Sequence, residues 1–549
     1  MTELTDFYRQ KVTDFLKTVV CFDDRAYEGG HEGAGAVRIA AKAPDGFSED
    51  VGEVGNGVIS GVVGCDPAGS NTGFDEKALT DAFAEMEILC SVIKPDTDGA
   101  RAKKQIENLA RTADVAICDW EFYDDISIAR EAIVNIVSED EKRGGCLRLI
   151  VIYSDGNGPD VTTELSGLLE QLGFKYSKDK FELQNAHSLI VFFQKPGLNL
   201  PTVPAELVVE YKDLPGRVID SFTKLTSGLL PAAALSAISV IRQQSHHLLA
   251  AFPATLDGAY LTHRCLIPDP NDAEQFFLDL FEGEIGALLA HSRMNEAVDS
   301  ARCEAWVEKN NIFDASQRKR LRKSLTKYGK AKIDGFRKLF ADNNLSDDAV
   351  SEMVLELFYG ATPNEMERAK EDFSVLSALD THRRRRMVSE PKMPRLQLGS
   401  VVREVWSGRY LLCIQPLCDS TRIKHDKETC FPFLFLDKPS DDKLTKDFDL
   451  CVPDGGDGVV WLSILPKPQR LISYQFRGKS VSEAYVVAEK LDDQMNYVFR
   501  MADGQSCLEW MADLKTGKAQ RIVSQLAARI HTLGIDEFEW LRLHGPRPG

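Results

Sequence analysis

The sequence predicts a multidomain chain with an α/β domain first, a helical domain in the middle and a β-rich α+β domain last. Between residues 74 and 200, short apolar segments alternate with amphipathic segments of about 10–15 residues. This alternation predicts βαβ units and a doubly wound parallel sheet of the flavodoxin-like order. Residues 203–390 have helical periodicity, and residues from 399 onward alternate like strands. A chain of 549 residues is also too long for one hydrophobic core.

Five strands are predicted in residues 1–200, the first domain, and the first, fourth and fifth are predicted to be buried. The five strands are LKTVVCFDD, EILCSVIKP, DVAICDWEF, CLRLIVIYS and SLIVFFQKP. Apolar runs of this kind are typical of strands that helices cover on both faces. The segments between them, such as GARAKKQIENLARTA and TTELSGLLEQLGF, have the period of amphipathic helices. The Gly-rich residues 28–74 carry few large side chains and are predicted to be a long insertion after the first strand.

Two further domains are predicted after the first. Residues 203–390 contain long segments of helical period, including AAALSAISVIRQQSHHLLAAF, and form the helical domain. A linker containing THRRRRMVSEPKMPRLQ follows it. Residues 399–549 form the β-rich domain, with predicted strands such as RYLLCIQPL, CFPFLFLD and GVVWLSILP before a final helix.

The balance of charges argues against some partners. The net charge is −18, from 84 acidic and 66 basic residues, and such a charge repels the phosphate backbone of nucleic acids. The basic run Arg383–Arg386 is expected to be a solvated linker or a contact for an acidic partner. No apolar run reaches the roughly 20 residues that span a bilayer, and no secretory signal is seen. We therefore expect a cytoplasmic protein with no membrane partner, whose 12 cysteines are reduced thiols.

Polar side chains follow four of the five predicted strands at the point where each strand ends. Asp23 and Asp24 follow the first strand, Asp119 the third, Ser154 ends the fourth, and Lys195 follows the fifth. The carboxyl ends of parallel strands meet at one edge of a sheet. We therefore expect these five side chains to share one pocket.

The chemistry of phosphoryl transfer to a carboxylate suits this set of residues. Three carboxylates in one pocket repel one another and favour a hard divalent cation, for which Mg²⁺ is well suited. Asp23 and Asp24 would hold the metal, and Asp119 would be both a ligand and the nucleophile. Lys195 would place a positive charge on a phosphoryl oxygen, and Ser154 would offer a hydroxyl to the bound group.

This order of residues resembles the receiver domain of two-component response regulators over roughly residues 15–200. The acidic pair, the later aspartate, the serine and the Lys195–Pro196 pair all stand at the matching strand ends. The resemblance implies Mg²⁺-dependent phosphorylation of Asp119 by a histidine kinase as the partner. An inert flavodoxin-like domain is the structural alternative, although an inactive receiver usually lacks Asp119 or Lys195. The Lys195–Pro196 bond is left open between trans and cis.

The sequence departs from the family pattern in three places. The insertion at 28–74 lies next to the acidic pair, where receivers usually have a tight turn. The segment KYSKDKFELQNAHS adds length before the fifth strand. No aromatic residue directly precedes Lys195, although Phe192 and Phe193 are near it in sequence. The output switch and the lifetime of the phosphorylated state are therefore left open.

Several functions are compatible with such a receiver. It could be a response regulator that acts by protein contact, or a phosphate sink that drains a kinase. A sink of this architecture resembles the phosphate-buffer receiver protein of Detocs-type phage-defence systems, for which a receiver–effector protein would be a second partner. A receiver-controlled effector enzyme with an unrecognised site in 399–549 is the alternative, and a DNA-binding regulator is a further one. No Walker, GxSxG or HExxH motif is present, so no catalysis beyond the chemistry of Asp119 is expected. The oligomeric state and the role of His246 and His247 are left open.

Overall fold

A computed structural model of the chain describes residues 2–27, 74–197, 202–267, 272–309, 358, 363–383, 393–438, 449–454, 458–480, 484–491 and 496–530. The predicted insertion, apart from its last residue Phe74, and Arg384–Arg386 of the basic run lie outside these residues. The chain divides into two compact units. The first consists of residues 5–141 and 145–227, and the second of residues 1–4, 142–144 and 228–549.

The first unit contains a seven-stranded sheet within the described residues. Its strands are β1 (Thr18–Phe22), β2 (Leu89–Ile93), β3 (Val115–Cys118), β4 (Arg148–Ser154), β5 (Lys175–Ser177), β6 (Glu182–Gln184) and β7 (Ser188–Gln194). They are arranged in the order β2-β1-β3-β4-β7-β6-β5. β1, β2, β3, β4 and β7 are the five predicted strands, and they pair in parallel. The prediction of a doubly wound, flavodoxin-like sheet is thereby confirmed.

β5 and β6 form a hairpin at one edge of this sheet. β5 pairs antiparallel with β6, and β6 pairs antiparallel with β7. Both strands arise from the added segment KYSKDKFELQNAHS, for which the sequence predicted only extra length. Phe181 and Leu183 are buried, whereas the turn residues Lys178–Lys180 are exposed. Two apolar side chains therefore join a short, largely polar hairpin to the core.

Helices cover both faces of the sheet. They are α1 (Thr2–Phe15), α2 (Glu76–Glu85), α3 (Gly99–Thr112), α4 (Ile126–Lys142), α5 (Gly158–Leu169) and α6 (Leu214–Leu225). α2 and α3 begin after aspartate caps, since Asp75 accepts a hydrogen bond from the amide of Ala78, and Asp98 from the amides of Ala100 and Arg101. Every residue of β4 and β7 is buried, as the apolar runs predicted.

α6 follows the segment that resembles a receiver, and it packs against β4 and β7. Phe222 of α6 is buried and contacts Phe15 of α1, with ring centroids 5.7 Å apart. Arg9 of α1 forms an ion pair with Asp220 at 2.8 Å. The sheet of the first unit is therefore partly covered by chain that lies beyond residue 200.

The second unit begins with the predicted helical region. Its described helices are α7 (Leu229–Gln243), α8 (Ser245–Ala250), α9 (Asp257–Leu266), α10 (Asp272–His291), α11 (Ser300–Lys309), α12 (Pro363–Ala378), α13 (Leu417–Ser420) and α14 (Thr516–Ile530). The segment AAALSAISVIRQQSHHLLAAF, predicted as one helix, is divided at Gln244 into α7 and α8. None of the helices in the described part of the chain is long and apolar enough to cross a membrane.

The second unit also contains an antiparallel sheet, which confirms the β-rich C-terminal region. Its strands are β8 (Leu379–His382), β9 (Ser400–Glu404), β10 (Tyr410–Cys413), β11 (Thr429–Asp437), β12 (Leu450–Pro453), β13 (Val459–Ile464), β14 (Leu471–Phe476), β15 (Glu489–Lys490), β16 (Tyr497–Arg500) and β17 (Cys507–Leu514). The main order is β12-β13-β11-β10-β9-β17-β16-β15, with β14 on β11 and β8 on β17. Leu412 and Leu434 face one apolar core, and Leu411 and Phe433 the other. Alternating side chains are thus buried on both faces.

Asp513 on β17 gives the second unit a pH-dependent stability. It accepts hydrogen bonds from Ser400 Oγ at 2.7 Å and from Trp510 Nε1 at 3.2 Å, and burial raises the pKa of Asp513 to about 6. A carboxyl whose pKa is raised by folding stabilises the protein most when protonated, and this contribution is lost as the pH rises from about 4 through about 6.

We expect Asp513→Asn to raise the free energy of unfolding of the second unit by ~2 kcal/mol at neutral pH. The effect should vanish near pH 4, because the wild-type carboxyl is then already neutral. Hydrogen exchange of the β17 amides, measured at neutral pH and near pH 4, gives the stability difference between the variant and the wild type under each condition. A variant that is less stable than the wild type at neutral pH would contradict this account of Asp513.

Candidate functional site

The five predicted polar residues all lie at the carboxyl edge of the parallel sheet. Phe22 of β1 pairs with Cys118 of β3, so Asp23 and Asp119 leave adjacent strands at the same level. The amide of Asp119 donates to the carbonyl of Phe22 at 2.9 Å, and that of Lys195 donates to the carbonyl of Ser154 at 3.0 Å. Strand pairing therefore fixes the backbone from which these side chains extend.

The acidic side chains form one cluster. Carboxylate oxygens of Asp23, Asp24 and Asp119 lie within 4.8 Å of one another. Asp23 and Asp119 are buried, at 1% and 5% exposure, while Asp24 is half-buried. Burial raises the pKa of Asp23, and the nearby ammonium group of Lys195 counteracts that rise. Among the described residues, this is the one group of three or more Asp, Glu, His or Cys side chains close enough to share a metal ion.

The donor set of this cluster fits Mg²⁺. It offers oxygen ligands only, from a small number of carboxylates, which is the donor set that Mg²⁺ takes alongside waters and phosphate oxygens. Asp24 already accepts a hydrogen bond from the amide of Tyr123 at 2.7 Å, which orients its carboxylate. A hard cation is therefore the class of ligand that these residues suit best.

Lys195 bridges two of the acids. Its Nζ donates to Oδ2 of Asp23 and to Oδ2 of Asp119, each at 2.5 Å, and the residue is 2% exposed. Burial alone would lower the pKa of Lys195, but the carboxylates of Asp119 and Asp23 raise it to about 12. Lys195 therefore carries its positive charge directly beside Asp119 at any physiological pH.

Ser154 and Pro196 complete the predicted set. Ser154 is buried, and its Oγ accepts a hydrogen bond from the amide of Gly156 at 3.2 Å. The hydroxyl hydrogen of Ser154 is thus available for an acceptor in the pocket. The Lys195–Pro196 peptide bond is trans, since the described backbone contains no cis bond.

The loop between β3 and α4 holds the acidic cluster in place. The amide of Trp120 donates to Oδ1 of Asp119 at 2.7 Å, and the hydroxyl of Tyr123 donates to the carbonyl of Pro95 at 2.6 Å. Tyr123 and Asp124 have φ angles of 53° and 61°, a left-handed conformation that is uncommon for residues other than glycine. Consecutive residues of this kind typically mark functional loops.

Two charged residues of the site were not predicted from the sequence. The guanidinium of Arg25 lies 2.8 Å from Asp155, 3.4 Å from Asp119 and 3.8 Å from Asp23. Burial alone would lower the pKa of Arg25. Asp155 and the other nearby acids outweigh burial and raise the pKa of Arg25 above its ordinary value. In the sequence, Arg25 directly follows Asp24, and Asp155 directly follows Ser154. This proximity to predicted site residues is the one signal that could have indicated them.

An aromatic cluster lies beside Lys195. The Nζ of Lys195 is 5.5 Å from the ring centroid of Phe74 and 5.9 Å from that of Tyr153. Tyr211 meets both rings edge-on, at 5.5 Å from Phe74 and 5.6 Å from Tyr153. The hydroxyl of Tyr153 donates to the carbonyl of Val209 at 2.7 Å. The chain that leads into α6 therefore contacts the surroundings of Lys195 directly.

His246 and His247, whose role was left open by the sequence, belong to the second unit rather than to the first, which contains the acidic cluster. They are exposed on the short helix α8 of the second unit. No observation on the acidic cluster around Lys195 assigns a role to these two histidines.

A comparison with protein families identifies the first domain. Residues 15–200 match the family model described as the response receiver domain. The chain has no significant match among curated proteins or solved structures. The family match covers the same segment as the sequence resemblance and includes all of the predicted site residues.

Proposed function

We propose, from the premise that residues 15–200 are a response receiver domain, that the chain accepts a phosphoryl group on Asp119 from a histidine kinase. The receiver domain itself supports a two-component response-regulator function. The observation that carries the finer proposal is the position of Lys195 Nζ, which lies 2.5 Å from both Asp119 and Asp23 and is buried.

The transfer step follows from the groups in the pocket. An oxygen of the Asp119 carboxylate forms a bond to phosphorus while the P–N bond of the donor phosphohistidine breaks, and the released imidazole nitrogen keeps the electron pair and takes a proton from solvent. Lys195 neutralises the charge that arises on the phosphoryl oxygens, and Ser154 donates its hydroxyl hydrogen to one of them. Asp23, Asp24 and Asp119 would hold Mg²⁺, which supplies further charge neutralisation when bound.

Intact mass spectrometry tests this proposal. The full chain is incubated with Mg²⁺ and acetyl phosphate, beside a sample that contains EDTA. We expect a mass gain of one phosphoryl group that depends on Mg²⁺. The absence of any gain, with acetyl phosphate and with phosphorylated histidine kinases, would refute the proposed function.

The contact made by Tyr211 favours a response regulator with an output over a pure phosphate sink. A sink needs only the acceptor site, whereas here residues beyond the family match reach the aromatic cluster beside Lys195. A change in position of Lys195 or Ser154 on phosphorylation would reach α6 through Tyr153 and Tyr211. α6 would then be the element that reports the state of Asp119.

We expect Tyr211→Ala to separate phosphorylation from this response. Hydrogen exchange in residues 205–225 should change when the wild type is phosphorylated, and the change should be lost in the variant. Phosphorylation itself should stay within about twofold, because no hydrogen bond joins Tyr211 to Asp23, Asp24 or Asp119 among the described residues. Tyr176→Ala, which removes a half-buried tyrosine that bonds to Thr162 instead, is the matched control. A wild-type exchange response in Tyr211→Ala would contradict the proposed route.

The sink, including a buffering role in a Detocs-type defence system, makes a different prediction. Its phosphorylated state should decay quickly and cause no exchange change in α6. The lifetime of the phosphorylated chain, followed by intact mass after removal of acetyl phosphate, therefore separates the two roles.

The effector-enzyme alternative would require a second polar pocket. A cleft of about 710 Å³ lies beside α12, β8, β12 and β13, and its walls include Glu367, Glu371 and His382. Arg368 and Asp372, which also line the cleft, have side chains 77% and 76% exposed. Catalytic groups are usually held by packing, so an open cleft lined by solvated charges does not favour an enzyme.

A further inference from the structure

Arg25 is the second cation of the acidic pocket, and it contacts the same Asp119 oxygen, Oδ2, as Lys195. Its contacts are graded: the guanidinium is 2.8 Å from Asp155, 3.4 Å from Asp119 and 3.8 Å from Asp23. The side chain is 34% exposed, whereas that of Lys195 is 3% exposed. Nη2 of Arg25 makes both the shorter contact with Asp155 and the longer one with Asp119, and solvent is available into which the side chain can move.

The charges of the pocket show why such a cation is useful. Among the described residues, the pocket brings together four carboxyl groups, those of Asp23, Asp24, Asp119 and Asp155, and two positive side chains, so it holds two more acidic than basic groups. A divalent cation would neutralise this excess. Phosphorylation then replaces one carboxylate charge with about two phosphoryl charges, which again leaves the pocket short of positive charge.

A guanidinium can bind in both the unphosphorylated and the phosphorylated pocket. It can pair with a carboxylate, and it can donate two parallel hydrogen bonds to a phosphoryl group. A metal ion placed among Asp23, Asp24 and Asp119 would compete with Arg25 for Asp119 and leave its shorter contact with Asp155 intact. The guanidinium, still paired with Asp155, would then lie beside the phosphorylated position.

We propose that Arg25 is an exchangeable cation of the acceptor site. It neutralises Asp119 before the metal binds, gives up this contact to Mg²⁺, and pairs with the phosphoryl group while Asp155 holds it. This inference rests on the proposed function. It predicts effects of opposite sign, because removal of Arg25 favours the metal and disfavours the phosphoryl group, whereas damage to the fold would weaken the binding of both.

Isothermal titration of the full chain tests the proposal with two probes, Mg²⁺ alone and beryllofluoride in the presence of saturating Mg²⁺. Arg25→Gln should bind Mg²⁺ about fivefold more tightly than the wild type and the phosphoryl analogue beryllofluoride about fivefold more weakly. Arg25→Lys, which keeps the charge, should lie close to the wild type for Mg²⁺. Arg130→Gln is the matched control, since Arg130 is 31% exposed and pairs with Glu164 at 2.8 Å away from the site.

Each outcome decides the matter. The two opposite shifts in Arg25→Gln, with both affinities unchanged in Arg130→Gln, would support the exchangeable cation. Equal or weaker Mg²⁺ binding in Arg25→Gln, or undiminished beryllofluoride binding, would overturn it and leave the proposed function standing. Failure of the wild type to bind either probe would overturn the proposed function and this inference together.

Discussion

Asp119→Asn is expected to abolish phosphorylation, with a loss of about 1000-fold or more in rate. The amide has the shape of the carboxylate and can still accept the hydrogen bond from the amide of Trp120, so the loop after β3 should be preserved. It is not a nucleophile toward phosphorus, and Asp23, the other acid that Lys195 contacts, is assigned to hold the metal. The measurement is the mass gain with Mg²⁺ and acetyl phosphate.

Asp114→Asn is the matched control for this variant. Asp114 directly precedes β3, whereas Asp119 directly follows it. Its side chain accepts hydrogen bonds from the amides of Lys17 and Thr18 at the opposite edge of the sheet. Asp114→Asn should therefore be phosphorylated like the wild type. Full phosphorylation of Asp119→Asn would mean that another residue is the acceptor.

Lys195→Met is expected to slow phosphorylation by about 100–1000-fold and also to destabilise the first unit. Methionine keeps most of the apolar stem but leaves Asp23 and Asp119 buried without their shared cation. Removal of one partner from a buried ion pair costs about 3 kcal/mol. Hydrogen exchange of the β3 and β4 amides measures this loss within the first unit.

The destabilisation should depend on pH and on metal. Burial raises the pKa of Asp23 and Lys195 lowers it, so the pKa of Asp23 should rise further in Lys195→Met. A carboxyl with a raised pKa in the folded state stabilises it at low pH, and this contribution is lost as the pH rises. The deficit should therefore be small near pH 4 and largest at neutral pH, and Mg²⁺ should reduce it. Lys103→Met, which removes a surface ion pair with Glu131, should show neither effect. A deficit independent of both pH and Mg²⁺ would contradict the role given to Lys195.

The arrangement of the candidate acceptor site could be predicted from sequence because it depends on regular structure. The alternation of apolar strands and amphipathic helices predicted a parallel sheet, and parallel strands bring their carboxyl ends to one edge. Asp23, Asp119, Ser154 and Lys195 all stand at such ends, so their proximity followed from the strand assignments alone. The family match over residues 15–200 covers the same segment.

Arg25, Asp155 and Tyr211 could not be predicted in this way. Arg25 and Asp155 lie in loops, where the sequence does not determine the direction of a charged side chain. Tyr211 reaches the site from chain beyond the family match, and its position depends on how α6 packs against β4 and β7. These residues are also the ones that distinguish this site from the general pattern of strand-end residues.

The second unit shows a related difference. Five strands of residues 399–549 were predicted from their alternation, but the order of the strands was not predicted, and neither were the four strands β12, β15, β16 and β17. β17 pairs with both β8 and β9, strands that are more than 100 residues away in the chain. Such pairings depend on tertiary packing, which local periodicity does not encode.

The identity of the phosphorylated residue is the most direct test of the account. The chain is phosphorylated with Mg²⁺ and acetyl phosphate, reduced with sodium borohydride, and digested for peptide mass spectrometry. Borohydride converts an aspartyl phosphate to homoserine, so the acceptor is marked permanently. We predict homoserine at position 119, and its absence when EDTA replaces Mg²⁺. Homoserine at another aspartate, or at no position in a chain that has bound Mg²⁺, would contradict the assignment of Asp119 as the acceptor.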